Sequence, residues 1–285
     1  MEVEPSLVLA RWAYYGTAMI LFGSALFPLY AGGRNGANIP VLPKSATIAL
    51  AAAALVAAVT WLLSFAAELD SSEGLIETTW GILVESSFGP TWWIRLGALF
   101  IALGTALTGH LRLLATALLV ALACEGWTGH AAAFGLTGSL LHSAHVISAA
   151  AWIGGIVPLA RLVSIALADD RLRPAAEAAL SRFSRAGVLF VAVIALTGAS
   201  NIWHVHPGRL ASINTYNQVL FAKLVLFVGM VGVAAFNRYH FLPQLTRSSS
   251  ASTLPALSRS IALEQAIGLA VLLDVSALGL INPDP

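Results

Sequence analysis

The chain has 285 residues, of which 58% are hydrophobic and 10% are charged, and its formal net charge at pH 7 is +1. A soluble domain carries about 25% charged residues, so this sequence cannot hide its apolar side chains in a water-soluble core. The net charge identifies no partner, no basic tract suggests a nucleic acid, and we expect a polytopic membrane protein surrounded by the lipid bilayer.

Cysteine usage limits the kinds of metal site that the chain can build. Cys124 is the single cysteine, which excludes an intramolecular disulfide and a thiolate zinc or iron–sulfur centre. A metal site must therefore use histidine, methionine, carboxylate or backbone ligands. The N-terminus lacks the basic region and cleavage site of a signal peptide, so we expect the first apolar run to be a retained helix.

Eight apolar segments approach the roughly 20 residues that a helix needs to span a bilayer. In chain order they run from Leu7 to Tyr30, Ser45 to Ala67, Trp92 to Thr108, Leu111 to Glu125, Ser139 to Leu162, Phe183 to Trp203, Val219 to Phe236 and Ile261 to Ile281. The third and fourth are short and closely joined through Gly109 and His110, which predicts a helical hairpin. The sequence thus predicts an all-α bundle of about eight transmembrane helices, forming a single integral membrane domain over residues 1–285.

Three connections between these segments have sequences that predict their structure. The stretch ELDSSEGLIETTWGILVESSFGPTWWIR has apolar residues near helical spacing, which is typical of a short helix lying on the membrane surface. These apolar residues are Leu75, Ile76, Trp80, Leu83 and Val84. The stretch RPAAEAALSRFSR, between Arg161 and Arg185, also favours a helix, whereas RSSSASTLP predicts a flexible loop.

The placement of lysine and arginine predicts the orientation of the bundle. One side of the predicted bundle carries eleven of them, namely Arg34, Lys44, Arg112, Arg161, Arg171, Arg173, Arg182, Arg185, Arg238, Arg247 and Arg259. The other side carries four, namely Arg11, Arg95, Arg209 and Lys223. This imbalance puts both termini outside, which means the periplasm for a protein of the bacterial inner membrane.

Five of the seven histidines fall on this outer side and are the candidate metal ligands. They are His130, His142, His145, His204 and His206, whereas His110 and His240 fall inside. His142 and His145 are spaced i, i+3, so both imidazoles lie on one helix face, and neutral imidazole suits copper, zinc, iron and nickel. The alternative is that each histidine simply hydrogen-bonds a neighbouring group.

Other polar or sulfur-bearing residues in the spans are candidates for the interior. Asp274 lies well inside the last segment, where a carboxylate is expensive and is expected to balance a cation or move a proton, or else to hydrogen-bond a neighbouring helix. Met19 is a possible thioether ligand on a transport path. We expect Cys124 to be a small buried apolar residue and Glu125 to be solvated at a helix end.

Four segments, HVISAAAWIGGIVPLARL, FSRAGVLFVAVIALTGASNIW, LFAKLVLFVGMVGVAAFNRYHFLPQL and SRSIALEQAIGLAVLLDVSALGLINPDP, resemble the copper resistance D (CopD) family of bacterial inner-membrane proteins. The resemblance is strongest over residues 139–285 and looser over the first four spans. It implies an eight-helix protein linked to copper uptake from periplasm to cytoplasm. It supports His142, His145, Trp152, Asn201, Lys223, Asn237 and Arg238 as family positions. Some relatives carry a fused periplasmic copper-binding domain that this chain lacks, so a separate periplasmic copper-binding protein is the expected partner.

Two alternatives to copper import stay open at this stage. One is a haem b electron-transfer protein, which needs histidines at matched depths on facing helices. The other is a copper chaperone or assembly factor that binds copper without transporting it. The sequence has no ATP-binding motif and no nucleophile–base arrangement, so we expect neither ATP-driven transport by this chain nor an enzyme. A histidine site predicts that copper binding weakens between about pH 7 and pH 5.

Overall fold

The computed structural model describes residues 4–32, 42–69, 74–205, 214–247 and 253–282. Regular structure in these ranges is helical, which confirms the predicted all-α class. The α-helices are α1 (Pro5–Ala31), α2 (Lys44–Glu68), α3 (Leu75–Val84), α4 (Gly89–Thr108), α5 (Leu111–Ala123), α6 (Gly135–Ala168), α7 (Arg173–Val205), α8 (Thr215–Phe236), α9 (Leu242–Arg247) and α10 (Thr253–Leu278). Short 3₁₀ turns, Cys124–Trp127, His130–Phe134 and Asp170–Leu172, and a π-helix, Asn237–Phe241, join some of them.

Eight of these helices correspond to the eight predicted segments and run in alternating directions. Near the start of α1, the Arg11 guanidinium lies 5.2 Å from the ring centre of Trp61, which is near the end of α2. Near the start of α6, His142 lies 3.2 Å from Asn201, which is near the end of α7. Contacts of this kind place one terminus of every long helix at a common end of the bundle, which we call the histidine end.

Six helical segments are long and apolar enough to cross a membrane, which agrees with a polytopic membrane bundle. They are Lys44–Glu68, Gly89–Thr108, Ala132–Ala168, Asp170–His204, Thr215–Leu245 and Thr253–Leu278. The other two predicted spans, α1 and α5, are helices of the same bundle, but α5 has only 13 residues and α1 carries Arg11 and two tyrosines. That both termini face the periplasm stays a prediction.

Two glycines let α1 and α6 touch along their backbones. A Cβ atom added at Gly154 would collide with the Met19 carbonyl oxygen, and one added at Gly23 would collide with the backbone of Gly154. Small residues permit such close approach, and in lipid it is packing of this kind that holds helices together. α1 also packs against α2, α5, α7 and α10, so it lies at the centre of the bundle.

The connecting elements largely follow the sequence predictions. α4 and α5 pack as the expected hairpin, and Gly109 at their junction has φ of +81°, a left-handed conformation that glycine adopts without strain. α3 forms where a surface helix was predicted, packs on α2 and α4, and leaves Ile76 84% exposed. RPAAEAALSRFSR is helical and lengthens α7, while residues 248–252 of the serine-rich loop lie outside the described ranges.

Candidate metal centre

His142 and His145 lie side by side near the start of α6. Their rings are stacked, with centroids 6.2 Å apart and planes inclined by 13°. The i, i+3 spacing on one helix produces this arrangement, so the predicted same-face pair is confirmed. Both residues are half-buried.

The neighbouring helix α7 supplies one polar partner for each ring. The Nδ1 atom of His145 lies 3.0 Å from the Thr197 hydroxyl oxygen, and the Nδ1 atom of His142 lies 3.2 Å from the Asn201 amide nitrogen. Thr197 and Asn201 are four residues apart, so they occupy one face of α7. At Gly198, between them, an added Cβ atom would lie only 3.4 Å from the His145 ring.

These contacts bear on which ring nitrogen can bind a metal. The Thr197 hydroxyl donates its hydrogen to the Val193 carbonyl oxygen, so toward His145 its oxygen accepts. A neutral His145 then carries its hydrogen on Nδ1 and presents the lone pair of Nε2, the usual state of a ligand fixed by an outer partner. Among the described residues, His145 has one further hydrogen bond, with the Ile194 backbone of α7.

Asn201 can serve either tautomer of His142. As placed, its amide nitrogen donates to Nδ1, which puts the hydrogen of a neutral ring on Nε2. Amide oxygen and nitrogen are interchangeable by a flip, and the flipped amide would accept from Nδ1 and release the Nε2 lone pair. Metal ligation by His142 therefore requires the Asn201 oxygen to face the ring.

Charged side chains on two other helices act on the pair, and a carboxylate on a third helix acts on one of them. The charge of Lys223 on α8 acts on both rings, and that of Arg11 on α1 acts on His142. Asp274 on α10 is half-buried and interacts with Lys223, while its Oδ2 atom has no hydrogen-bond partner within the described ranges. The carboxylate thus offsets one of two positive charges that would otherwise oppose a bound cation.

The remaining predicted ligands are not brought to this pair by the described structure. His204 is exposed near the end of α7, where Nδ1 lies 2.7 Å from the Ser200 carbonyl oxygen and the ring contacts Phe134. The His130 side chain and all of His206 lie outside the described residues. Within the described part, no group of three or more His, Cys, Asp or Glu residues could hold a metal, so the five-histidine site stays a prediction. Met19 is buried in α1, and its ligand role also stays a prediction.

An ion pair deep in the bundle was missed by the sequence analysis. Arg95 on α4 and Glu125, just after α5, lie 2.9 Å apart with side chains 0% and 4% exposed. Tyr15 donates a hydrogen bond of 2.9 Å to Glu125, and the indoles of Trp61 and Trp92 flank the guanidinium. The expectation of a solvated Glu125 was wrong, because the chain turns back into the bundle after α5. Cys124 beside it is buried, as expected.

A buried carboxylate in α10 was missed as well. Glu264 is 4% exposed and accepts hydrogen bonds from the Trp152 indole at 3.1 Å and from the Asn237 amide at 3.0 Å. Trp152 and Asn237 are positions that the family resemblance supports, and Glu264 is what joins them. The signal that could have found it is its position inside the apolar segment Ile261 to Ile281.

A membrane-embedded helical bundle with a supported histidine pair at one end defines a candidate metal-handling membrane protein. Comparison with known proteins specifies the family. Residues 1–139 match the family described as copper resistance protein D-like, N-terminal domain, and residues 177–278 match the family described as copper resistance protein D. The chain belongs to the copper resistance protein D family, as the resemblance indicated.

Several characterised relatives have names that bear on copper or the membrane. The chain is 30% identical to copper resistance protein D of Pseudomonas syringae pv. tomato over 99% of its own length and 98% of the relative's. It is 30% identical to inner membrane protein YebZ of Escherichia coli, covering 96% of this chain and 97% of the relative. It is 34% identical to copper transport protein CutJ of Bacillus subtilis over 53% of this chain and 27% of that protein. No solved structure matches the chain.

Proposed function

We propose that the protein takes up copper at its periplasmic face through a site centred on His142 and His145, and mediates its import across a bacterial inner membrane. The observation that carries the proposal is the stacked imidazole pair, in which polar side chains of α7 lie within hydrogen-bond distance of both Nδ1 atoms. Imidazole nitrogen is a ligand that suits copper. The names of two relatives associate them with copper resistance and copper transport, and that of a third with the inner membrane.

The proposed path inward starts at the histidine end. His130, His204 and His206 are proposed additional ligands of the uptake site, and Asp274 and Met19 are proposed to act further along. We expect a separate periplasmic copper-binding protein to deliver the ion. We assign the chain no catalytic reaction.

The decisive experiment uses purified protein in vesicles. We expect vesicles containing the wild type to accumulate copper in their interior, where an external chelator cannot remove it. The doubly substituted variant His142→Ala, His145→Ala should not accumulate copper. His110→Ala is the matched control, because His110 is exposed and bonded to Thr108 at the other end of the bundle. Equal uptake by all three proteins would contradict the proposal.

The same preparation separates the alternatives. Copper bound by the wild type but never protected inside the vesicles would identify a chaperone or assembly factor. A Soret band in the visible spectrum would identify a haem protein. The haem alternative has little geometric support in the described part, because both half-buried histidines at the histidine end lie on one helix rather than on facing helices.

A further inference from the structure

Glu264 is a carboxylate in the interior of a membrane bundle, where two hydrogen-bond donors and no cation contact it among the described residues. It lies near the middle of α10, where Trp152 of α6 donates to Oε1 and Asn237 of the π-helix donates to Oε2. Among the described residues, no charged side chain interacts with this carboxylate. A bare carboxylate in such a place is costly unless it binds a proton or a cation.

The charged and titratable groups of the surrounding helices are engaged elsewhere or lie at other depths. On the helices packed against α10 and on α10 itself, the described charged side chains and histidines are Arg11, His142, His145, Arg161, Lys223, Arg238, His240, Arg259 and Asp274. Arg238 donates to the Ser184 carbonyl and hydroxyl oxygens, and His240 stacks on Phe236. Arg259 and Asp274 are five and ten residues from Glu264, which is about 7 Å and about 15 Å along the helix.

Asn237 can satisfy the carboxyl group both with and without a proton. Its amide nitrogen donates to Glu264, but its own oxygen is buried and has no hydrogen-bond partner within the described ranges. If Oε2 gains a proton, a flip of the amide turns that oxygen toward the new hydroxyl, which then donates to it. Asn237 begins the π-helix Asn237–Phe241, and π-bulges are frequent at functional sites.

We propose that Glu264 binds a proton in the interior of the bundle and that this proton exchanges with the transported copper ion. In the reaction, a proton from water binds the carboxylate oxygen Oε2, Asn237 reorients, and no electron is transferred. In the interior, Glu264 is either a neutral carboxylic acid or a carboxylate beside a copper ion. The proton and the copper ion therefore neutralise the carboxylate in turn. The exchange, though not the proton binding, rests on the proposed function.

Proton binding is tested on copper-free protein by infrared difference spectroscopy over a pH titration. We expect a carboxylic acid carbonyl band that appears on acidification in the wild type and is absent in Glu264→Gln. Gln keeps the shape and an oxygen acceptor for the indole. Glu177→Gln, which changes a partly exposed carboxylate paired with Arg173, should leave the band in place. Trp152→Phe should shift its frequency, because Oε1 then loses its donor.

Exchange is tested in vesicles with the external pH held constant, so that protonation of the histidine site does not change. We expect the initial rate of copper uptake to rise several-fold when the lumen is made one pH unit more acidic, a tenfold proton gradient. The Glu264→Gln variant should show no such response, and Glu177→Gln should respond like the wild type.

The outcomes separate the two proposals. If no band that depends on Glu264 titrates, proton binding is refuted. If copper uptake occurs but Glu264→Gln retains the full gradient response, exchange through Glu264 is refuted. If wild-type vesicles take up no copper under any gradient, the proposed import function fails, and the infrared titration still decides whether Glu264 binds a proton.

Discussion

Arg95 and Glu125 form a buried ion pair, 2.9 Å apart, that ties the start of α4 to the chain just after α5. Tyr15 donates to the same carboxylate, and Trp61 and Trp92 cover the guanidinium. The two charges therefore hold together α1, α2, α4 and α5. Because water is excluded, removing either partner would leave the other charge buried without compensation.

Glu125→Gln should destabilise the folded protein by about 3–5 kcal/mol, since it leaves the Arg95 guanidinium buried without a countercharge. Replacing both residues, Arg95→Met with Glu125→Leu, should cost less than the single substitution, because no unpaired charge remains. The measurement is the free energy of unfolding in detergent micelles. As a control, Glu177→Gln breaks the partly exposed pair with Arg173 and should cost less than about 1 kcal/mol.

Copper binding should weaken on acidification if His142 and His145 are both ligands. A protonated imidazole cannot ligate, so each ring must lose its proton before copper binds. With two rings, the affinity should fall by up to about a hundredfold per pH unit once both rings bind protons. Copper affinity at a series of pH values tests this, with proton uptake by the labelled histidines followed by NMR in the copper-free protein. A flat affinity profile across the range in which the rings titrate would exclude histidine ligation.

Thr197→Val should lower copper affinity by about 10–100-fold without disturbing the fold, because the hydroxyl fixes the tautomer and orientation of His145. Valine has the same branched shape and keeps the packing against the ring. Thr108→Val is the matched control, since Thr108 holds exposed His110 at a similar distance of 2.9 Å. Copper titration of the three purified proteins decides; equal affinities would show that Thr197 only fills space.

Gly154→Ala should destabilise the bundle by about 1–3 kcal/mol or more, because the new Cβ atom meets the Met19 carbonyl oxygen, which a side-chain rotation cannot move. Gly16→Ala, on the same helix as Met19, has open space around its Cβ position and should be neutral or slightly stabilising. Thermal unfolding in detergent measures both. If the two variants unfold alike, the α1–α6 contact is looser than the structure indicates.

The helices, the α4–α5 hairpin and the His142–His145 pair could be predicted because each depends on local information. Hydrophobic run length identifies spans, a Gly–His junction identifies the hairpin, and i, i+3 spacing puts two rings on one face. The two buried carboxylates could not be assigned in this way. The partners of Glu125 and Glu264 all lie more than 25 positions away on other helices, so these pairings depend on how the helices pack.

The contacts between α6 and α7 also could not be predicted from local sequence. The sequence placed His204 with the histidine pair because both lie on the same side of the membrane. In the structure the side chains on α7 that reach the pair are those of Asn201 and Thr197, about one and about two turns before His204 respectively. Lying on the same side of the membrane does not bring two residues together. Residues that bind one metal ion must also lie at the same depth and on helix faces that meet.

The rings of the histidine pair belong to the most enclosed of the six candidate spans, whereas their partners belong to α7, one of the least enclosed. The geometry of the pair therefore depends on how firmly a lipid-facing helix stays docked to the centre. Bilayers that are thicker or thinner than this helix prefers would tilt it and shift Thr197 and Asn201 along the rings. If the pair binds copper as proposed, its affinity should therefore depend on the lipid composition of the membrane.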